Sequence, residues 1–208
     1  MKTIVRYIFL LIACVMVASC NSRFHSNTKR IKPITQQHEM IAILPPVVQY
    51  LDVKDARERQ AKENYAKQQF QIAIQNHLVR LRSKGKMSAR ILSIGMTNDK
   101  LKEAGWYDDI FVDPKEVCEL LGVDGYISSE VIVQRPFPVG VAIATEILTN
   151  TNSTPINQSL VRLNVVDGKS EMHLWYYEQA LNGGLWSNPQ VMTERIVRNA
   201  LAKIPYKQ

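Results

Sequence analysis

The sequence predicts an α/β fold: one mixed sheet covered by helices, in the order β-α-β-α-α-β-β-β-α. Three observations point there. A long segment with helical apolar spacing separates two short apolar runs. "FVDPKEVCELLG" carries start and stop signals of a helix and leads straight into an apolar run. Two alternating segments flank "DGKS", a hairpin turn, and are followed by a last helical pattern. Early alternation of strands with helices followed by a hairpin is the pattern of a mixed sheet with helical cover.

Each element has its own local reason. "MIAILPPVV", residues 40 to 48, reads as a buried strand stopped by Pro45 and Pro46. From Asp55 to Lys84, apolar residues at Ala66, Phe70, Ala73, Ile74, Leu78 and Leu81 mark one helix face, and Gly85 ends it. "ARILSIG", residues 89 to 95, reads as a second strand. Thr97 or Asn98 then caps a short helix that runs through Ala104 and closes at Gly105. Asp113 is placed as an N-cap, Pro114 at the first helical position, Glu116 as the reciprocal member of a capping box, and Gly122 as the stop. "VDGYISSEVIVQ" is the next strand, and "SLVRLNVV" with "EMHLWYYEQAL" forms the hairpin. Asn188 and Pro189 open the final helix, and Pro205 ends it.

Ahead of this lies a different kind of segment. Lys2 and Arg6 precede an apolar run from Tyr7 to Ala18, then small Ser19, then Cys20. Charge, apolar core and small residues in that order are those of a secretory signal peptide. The run is short of the roughly 20 residues of a membrane-spanning helix. Residues 1 to 19 are therefore expected to be a leader, residues 20 to 38 (polar, rich in Asn, Ser, Thr, Gln and Lys) a flexible tether, and residues 39 to 208 one α/β domain.

Charge and cysteine count narrow the function classes. The formal charge is +7, from 26 Lys and Arg against 19 Asp and Glu. Loss of Lys2 and Arg6 with the leader leaves 24 against 19, or +5. The basic residues are interspersed with acids, and no basic run carries stacking aromatics, which argues against nucleic-acid binding. Cys14 lies in the leader, which leaves Cys20 and Cys118; with Cys20 as an attachment point no intrachain disulfide forms. Cys118 sits in an apolar helical stretch and reads as a core residue.

Catalytic signals are lacking. His25, His38, His77 and His173 are scattered without metal-ligand spacing, and neither a nucleophile elbow, a P-loop nor a dinucleotide fingerprint occurs. Asp108 and Asp109 are adjacent, Ser128 and Ser129 lack a histidine partner in sequence, and the glycines of "NGGLW" read as a turn. The expectation is a protein that is not an enzyme, with no cofactor and no metal. Trp175, Tyr176, Tyr177 and Trp186 cluster near the last hairpin; Trp175, Tyr177 and Trp186 are candidate partner-binding aromatics, with the core as the competing role.

"VASC" at residues 17 to 20 resembles the lipobox of bacterial lipoproteins, a resemblance that implies cleavage before Cys20 and acyl chains, palmitate among them, on it. Asn21 and Ser22 include no acid, which by the same resemblance favours the outer membrane over inner-membrane retention, with the domain facing the periplasm. "IAILPP" before a long helix, "LLGVDGYISSEV", "LVRLNVVDGKSEMHLW" and a terminal "KIPY" together resemble the CsgG-like and TolB-N-terminal-like fold family over residues 40 to 206. That family includes activators of penicillin-binding proteins, so the resemblance implies a non-enzymatic binding or assembly module for a cell-envelope partner. The alternative it implies is an oligomeric, curli-type export component, which leaves homo-oligomerisation open. In the curli channel the counterpart of "RPFPVGVAIATEILTNTNSTP" contributes a membrane hairpin. Here the return arm is polar and too little chain is left for a second hairpin, so residues 139 to 149 are expected to be a covered helix or edge strand, with a protein-contact surface as the alternative, rather than a pore element.

Overall fold

The computed structural model describes residues 22–26, 28–107, 112–134, 157–183 and 189–207. The leader, Cys20, Asp108 and Asp109, residues 139 to 149 and Trp186 lie outside the described residues.

The elements are β1 (Ser22–Ser26), α1 (Thr28–Thr35), β2 (Met40–Ile43), β3 (Val47–Tyr50), α2 (Ala56–Ser83), β4 (Arg90–Ile91), α3 (Ile94–Glu103), α4 (Pro114–Leu121), β5 (Gly125–Gln134), β6 (Asn157–Asp167), β7 (His173–Gly183) and α5 (Pro189–Leu201). They form a mixed α/β fold with one seven-stranded sheet in the order β1-β7-β6-β5-β2-β4. β3 pairs with β5 beyond the end of β2. The β2, β3 and β4 side is parallel; β5, β6, β7 and β1 are antiparallel.

Pro45 and Pro46 explain the break between β2 and β3. Proline offers no N–H to a ladder. The run read as one strand is therefore two, with Leu44 N–H still donating to Ile127 O. The break frees Ile43 O, which accepts from Gln71 Nε2 at 2.7 Å. Gln71 is fully buried and also exchanges two hydrogen bonds with Asn98, so α2 and α3 meet through a paired amide beside the short edge strand β4.

One face of the sheet packs against α1, α2 and α5. Ile41, Ile43, Ile127, Val131, Val161, Leu163 and Val165 meet Phe70, Ile74 and Leu78 of α2 and Ile196, Val197 and Leu201 of α5. Among the described residues the other face is covered at one end, where Ala42, Tyr126 and Val166 lie under Leu101 of α3 and Val117, Cys118 and Leu121 of α4. Lys100 Nζ donates to the carbonyls of Leu120 and Leu121, at 3.0 and 3.2 Å, and so fastens α3 to the C-terminal end of α4.

Asp113 caps α4 as the sequence requires: its carboxylate accepts from Lys115 N–H at 2.7 Å, and Gly122 follows at φ 70°, where a Cβ would be strained. Asp113→Ala is expected to lower stability by about 1 kcal/mol in thermal or denaturant melts.

Two expectations need correction. The segment read as a tether contains β1, paired with β7 from Ser22↔Gln179 to Ser26↔Trp175, and α1, whose Ile31 and Thr35 are buried. Thr35 Oγ1 donates to Pro205 O at 3.2 Å. An edge strand held by backbone bonds needs no apolar composition, which is why the segment reads as polar linker. The strand read over residues 89 to 95 shrinks to Arg90–Ile91, because Ser93, not Thr97, is the N-cap of α3 and accepts from Met96 N–H. Thr97 instead lies buried inside that helix.

Candidate interaction cleft

Where α3 and α4 stop, the sheet face they cover continues with no other described residues over it. Side chains alternate along a strand. Ile127, Val131 and Val133 of β5 therefore point to the main core, while Ser128 and Glu130 point to this second face. In register with Glu130 stand Arg162 of β6 and then Glu178 of β7. Arg162 donates through Nε to Glu178 and through Nη1 to Glu130, both at 2.7 Å, and Tyr176 hydroxyl donates to Glu178 at 2.6 Å. These two carboxylates raise the Arg162 guanidinium above its ordinary range. Burial, then the bond to Glu178, pushes the Tyr176 phenol up. In backbone register Arg23 of β1 falls opposite Glu178. A part-exposed ladder of this kind fixes register more than it stabilises.

A cleft of about 730 Å³ opens between this ladder and the α3–α4 layer. Pro45, Pro46, Trp106, Tyr107, Tyr126, Glu130, Asn164 and His173 are among the residues that line it. The ammonium groups of Lys102 and Lys67 stand 5.0 and 5.9 Å from the Tyr107 ring centre, which holds that ring by cation–π attraction. Burial, then Cys118 and Asp113, pushes the Tyr126 phenol up to about 12, so it stays a neutral donor at physiological pH. Apolar rings and prolines beside a few directed polar groups make a surface suited to binding. Ser128, Ser129 and His173 also line it, with Ser129 buried and His173 exposed at the start of β7.

The second polar cluster is built on buried His38 and Asp167, beside a pocket that Cys118, Asp124 and Ser170 also line. His38 Nε2 lies 2.9 Å from Asp167 Oδ1, and His38 Nδ1 lies 2.8 Å from Tyr206 hydroxyl. The carboxylate can only accept, so Nε2 carries the proton and Nδ1 accepts from Tyr206 in the neutral ring. Asp167 Oδ2 accepts from Ser170 N–H and Oγ, at 2.7 and 2.5 Å. Burial opposes ionisation of Asp167, but the Ser170 bonds and His38 outweigh it and hold the carboxyl below its usual range. Burial, then Asp167 and Asp124, lifts the Cys118 thiol to about 12, and burial lifts Tyr206 well above its ordinary value. A thiol that stays protonated is a poor nucleophile. The cluster joins the chain before β2, the β6–β7 turn and the C-terminal tail, and its chemistry is that of a clamp. Among the described residues no three His, Cys, Asp or Glu side chains are placed to hold a metal ion.

The sequence-derived candidates fall elsewhere. Trp175 and Tyr177 are each 1 % exposed and stack with ring centres 5.9 Å apart in the main core, so neither offers a surface anchor. Tyr176 faces the uncovered side. Cys20 and Trp186 are outside the described residues. Trp106 and Tyr107 carry the nearest sequence signal to the cleft, since paired aromatics directly after a helix-ending glycine have no helix face to bury them. The His38–Asp167 contact spans 129 residues and leaves no local trace.

No protein-family model and no curated protein matches the chain. Comparison with solved structures finds a distant likeness. A PelC dodecamer from Paraburkholderia phytofirmans matches at 13 % identity over 90 % of this chain and 97 % of that one, with a TM-score of 0.49. Lipoprotein GNA1162 from Neisseria meningitidis matches at 13 % identity over 79 % and 96 %, TM-score 0.45. The LpoB C-terminal domain from Salmonella enterica matches at 9 % identity over 76 % and 99 %, TM-score 0.37. Nothing about function follows from likeness at this level. The resemblance to the CsgG-like and TolB-N-terminal-like family stays a resemblance. No helix among the described residues is long and apolar enough to cross a membrane.

Proposed function

We propose that the chain is an envelope lipoprotein, anchored through acyl chains on Cys20 in the outer membrane, whose folded part is a non-enzymatic binding module facing the periplasm. The observation that carries this reading is the leader ending in V-A-S-C. Two or more acyl chains, at about 0.8 kcal/mol per buried methylene, hold a folded domain stably on a membrane surface. The module's binding surface is the Trp106–Tyr107 cleft, and its partner is a cell-envelope protein.

Cys20→Ala is expected to release the protein from membranes or to block processing of the leader. Metabolic labelling with a fatty-acid analogue marks the wild type and not the variant; equal labelling of both refutes the anchor. Tagged wild type recovers its envelope partner from detergent-solubilised membranes, and Trp106→Ala recovers less of it. Equal recovery by the variant refutes the cleft as the binding surface.

A further inference from the structure

The anchor cysteine and the folded sheet are joined by a short link. β1 starts at Ser22, two residues after Cys20, and pairs with β7 from Ser26↔Trp175 to Ser22↔Gln179. Two residues of chain span at most about 7 Å. Cys20 therefore stays within that reach of the outer corner of the sheet. Followed backward, β1 runs toward Gly183, where β7 ends. The same end of the sheet holds Gln134, the last residue of β5, and Asn157, the first of β6, which pair with Gln158 and Gly183. With a lipid on Cys20, no tether holds the domain clear of the bilayer.

Two apolar side chains choose which side of that corner meets the lipid. Among the described residues Leu51 and Val191 are the most exposed large hydrophobics, at 60 and 61 %. Leu51 N–H donates to Val133 O, one residue before β5 ends. Val191 lies one helical turn ahead of Glu194, which lines a small pocket together with Tyr50 and Val133. Both therefore stand at the end of the sheet where β5 and β7 stop, not along the edge that β1 forms. Charge adds no preference for anionic lipid there. From residue 52 to 63, Asp52, Asp55, Glu58 and Glu63 balance Lys54, Arg57, Arg59 and Lys62, and Glu194 is followed by Arg195.

We propose that this end of the domain rests on the membrane surface, with Leu51 and Val191 seated at the boundary of headgroups and acyl chains and the β6–β7 turn pointing away from the bilayer. Apolar contact at that boundary adds to the hold of the acyl chains. The proposal rests on the lipoprotein reading. It also sets the height of the cleft. A strand rises about 3.4 Å per residue, so His173, which lines the cleft, stands roughly 30 Å from Gly183 at the membrane end.

The test places one fluorophore at a time on the full lipoprotein, in phosphatidylcholine vesicles whose lipid carries a nitroxide on its headgroup. Leu51→Cys, Val191→Cys and Lys169→Cys supply the sites. Lys169 is exposed in the β6–β7 turn, and Cys118 is buried and takes no label. The nitroxide is expected to quench most of the emission at Leu51→Cys and Val191→Cys and little at Lys169→Cys. An insert of about twelve Gly and Ser residues between Asn21 and Ser22, with a span of roughly 20 Å, is expected to weaken that quenching while the protein still floats with the vesicles. Equal quenching at all three sites, or none at Leu51→Cys and Val191→Cys in protein that floats, overturns the orientation and leaves the anchor standing. Quenching unchanged by the insert overturns the short link as its cause. Protein that takes up no fatty-acid label and stays in solution refutes the anchor, and the orientation with it.

Discussion

Trp175→Ala is expected to lower the stability of the fold by about 3–5 kcal/mol, the cost of truncating a large aromatic in a packed core. The residue is 1 % exposed. Its ring stacks on Tyr177 at an interplanar angle of 12°, in the same core as Ile196, Val197 and Leu201 of α5. Removing it leaves a void that neighbours on two layers cannot close together, because the sheet backbone is fixed by β6 on one side and β1 on the other. Had Trp175 been a surface anchor, its loss would cost the isolated domain within about 0.5 kcal/mol and would show up in partner binding instead. Denaturant unfolding distinguishes the two. A midpoint within error of wild type would move the ring out of the core.

That residue also shows where sequence reasoning stops. The alternation of Met172, Leu174 and Tyr176 with His173, Trp175 and Tyr177 is plain in the chain, but alternation does not say which set faces inward. The register irregularity between Val165 and Val166 makes it harder, since Leu174 and Trp175 are both buried beside it. Signals confined to a few residues read through correctly. Asp113, Pro114 and Gly122 bound α4, Asp55 and Gly85 bracket α2, and "DGKS" joins β6 to β7. Signals that depend on a distant partner did not. β1 exists because β7 leaves an edge free some 150 residues later. The same holds for the polar chemistry. Glu130, Arg162 and Glu178 are ordinary charged residues in the chain and become a ladder only once three strands are in register.

Asp167→Ala is expected to destabilise the protein by about 1–3 kcal/mol, the usual cost of leaving a buried donor without its charged acceptor. The substitution strands His38 Nε2–H in the interior and takes away the acceptor that holds the N–H and Oγ of exposed Ser170. His38 is buried, and its ring packs so closely on Gly125 that a Cβ there would strike it. Because His38 and Tyr206 belong to one network, the losses are not additive. His38→Ala combined with Asp167→Ala should cost less than the sum of the two single changes, by an amount that measures the coupling. Acid gives an independent reading. The folded state holds the Asp167 carboxyl below its usual range, so it binds its proton more weakly than the unfolded chain does. The stability this supplies is fully present above the ordinary carboxylate range and is lost as pH falls through the lower folded value. Wild type should therefore lose stability on acidification from that range downward, and Asp167→Ala should lose less over the same interval. Parallel pH profiles for the two proteins, with unchanged midpoints for the single variant at neutral pH, would show that the clamp contributes nothing and that β2, the β6–β7 turn and the C-terminal tail are held by packing alone.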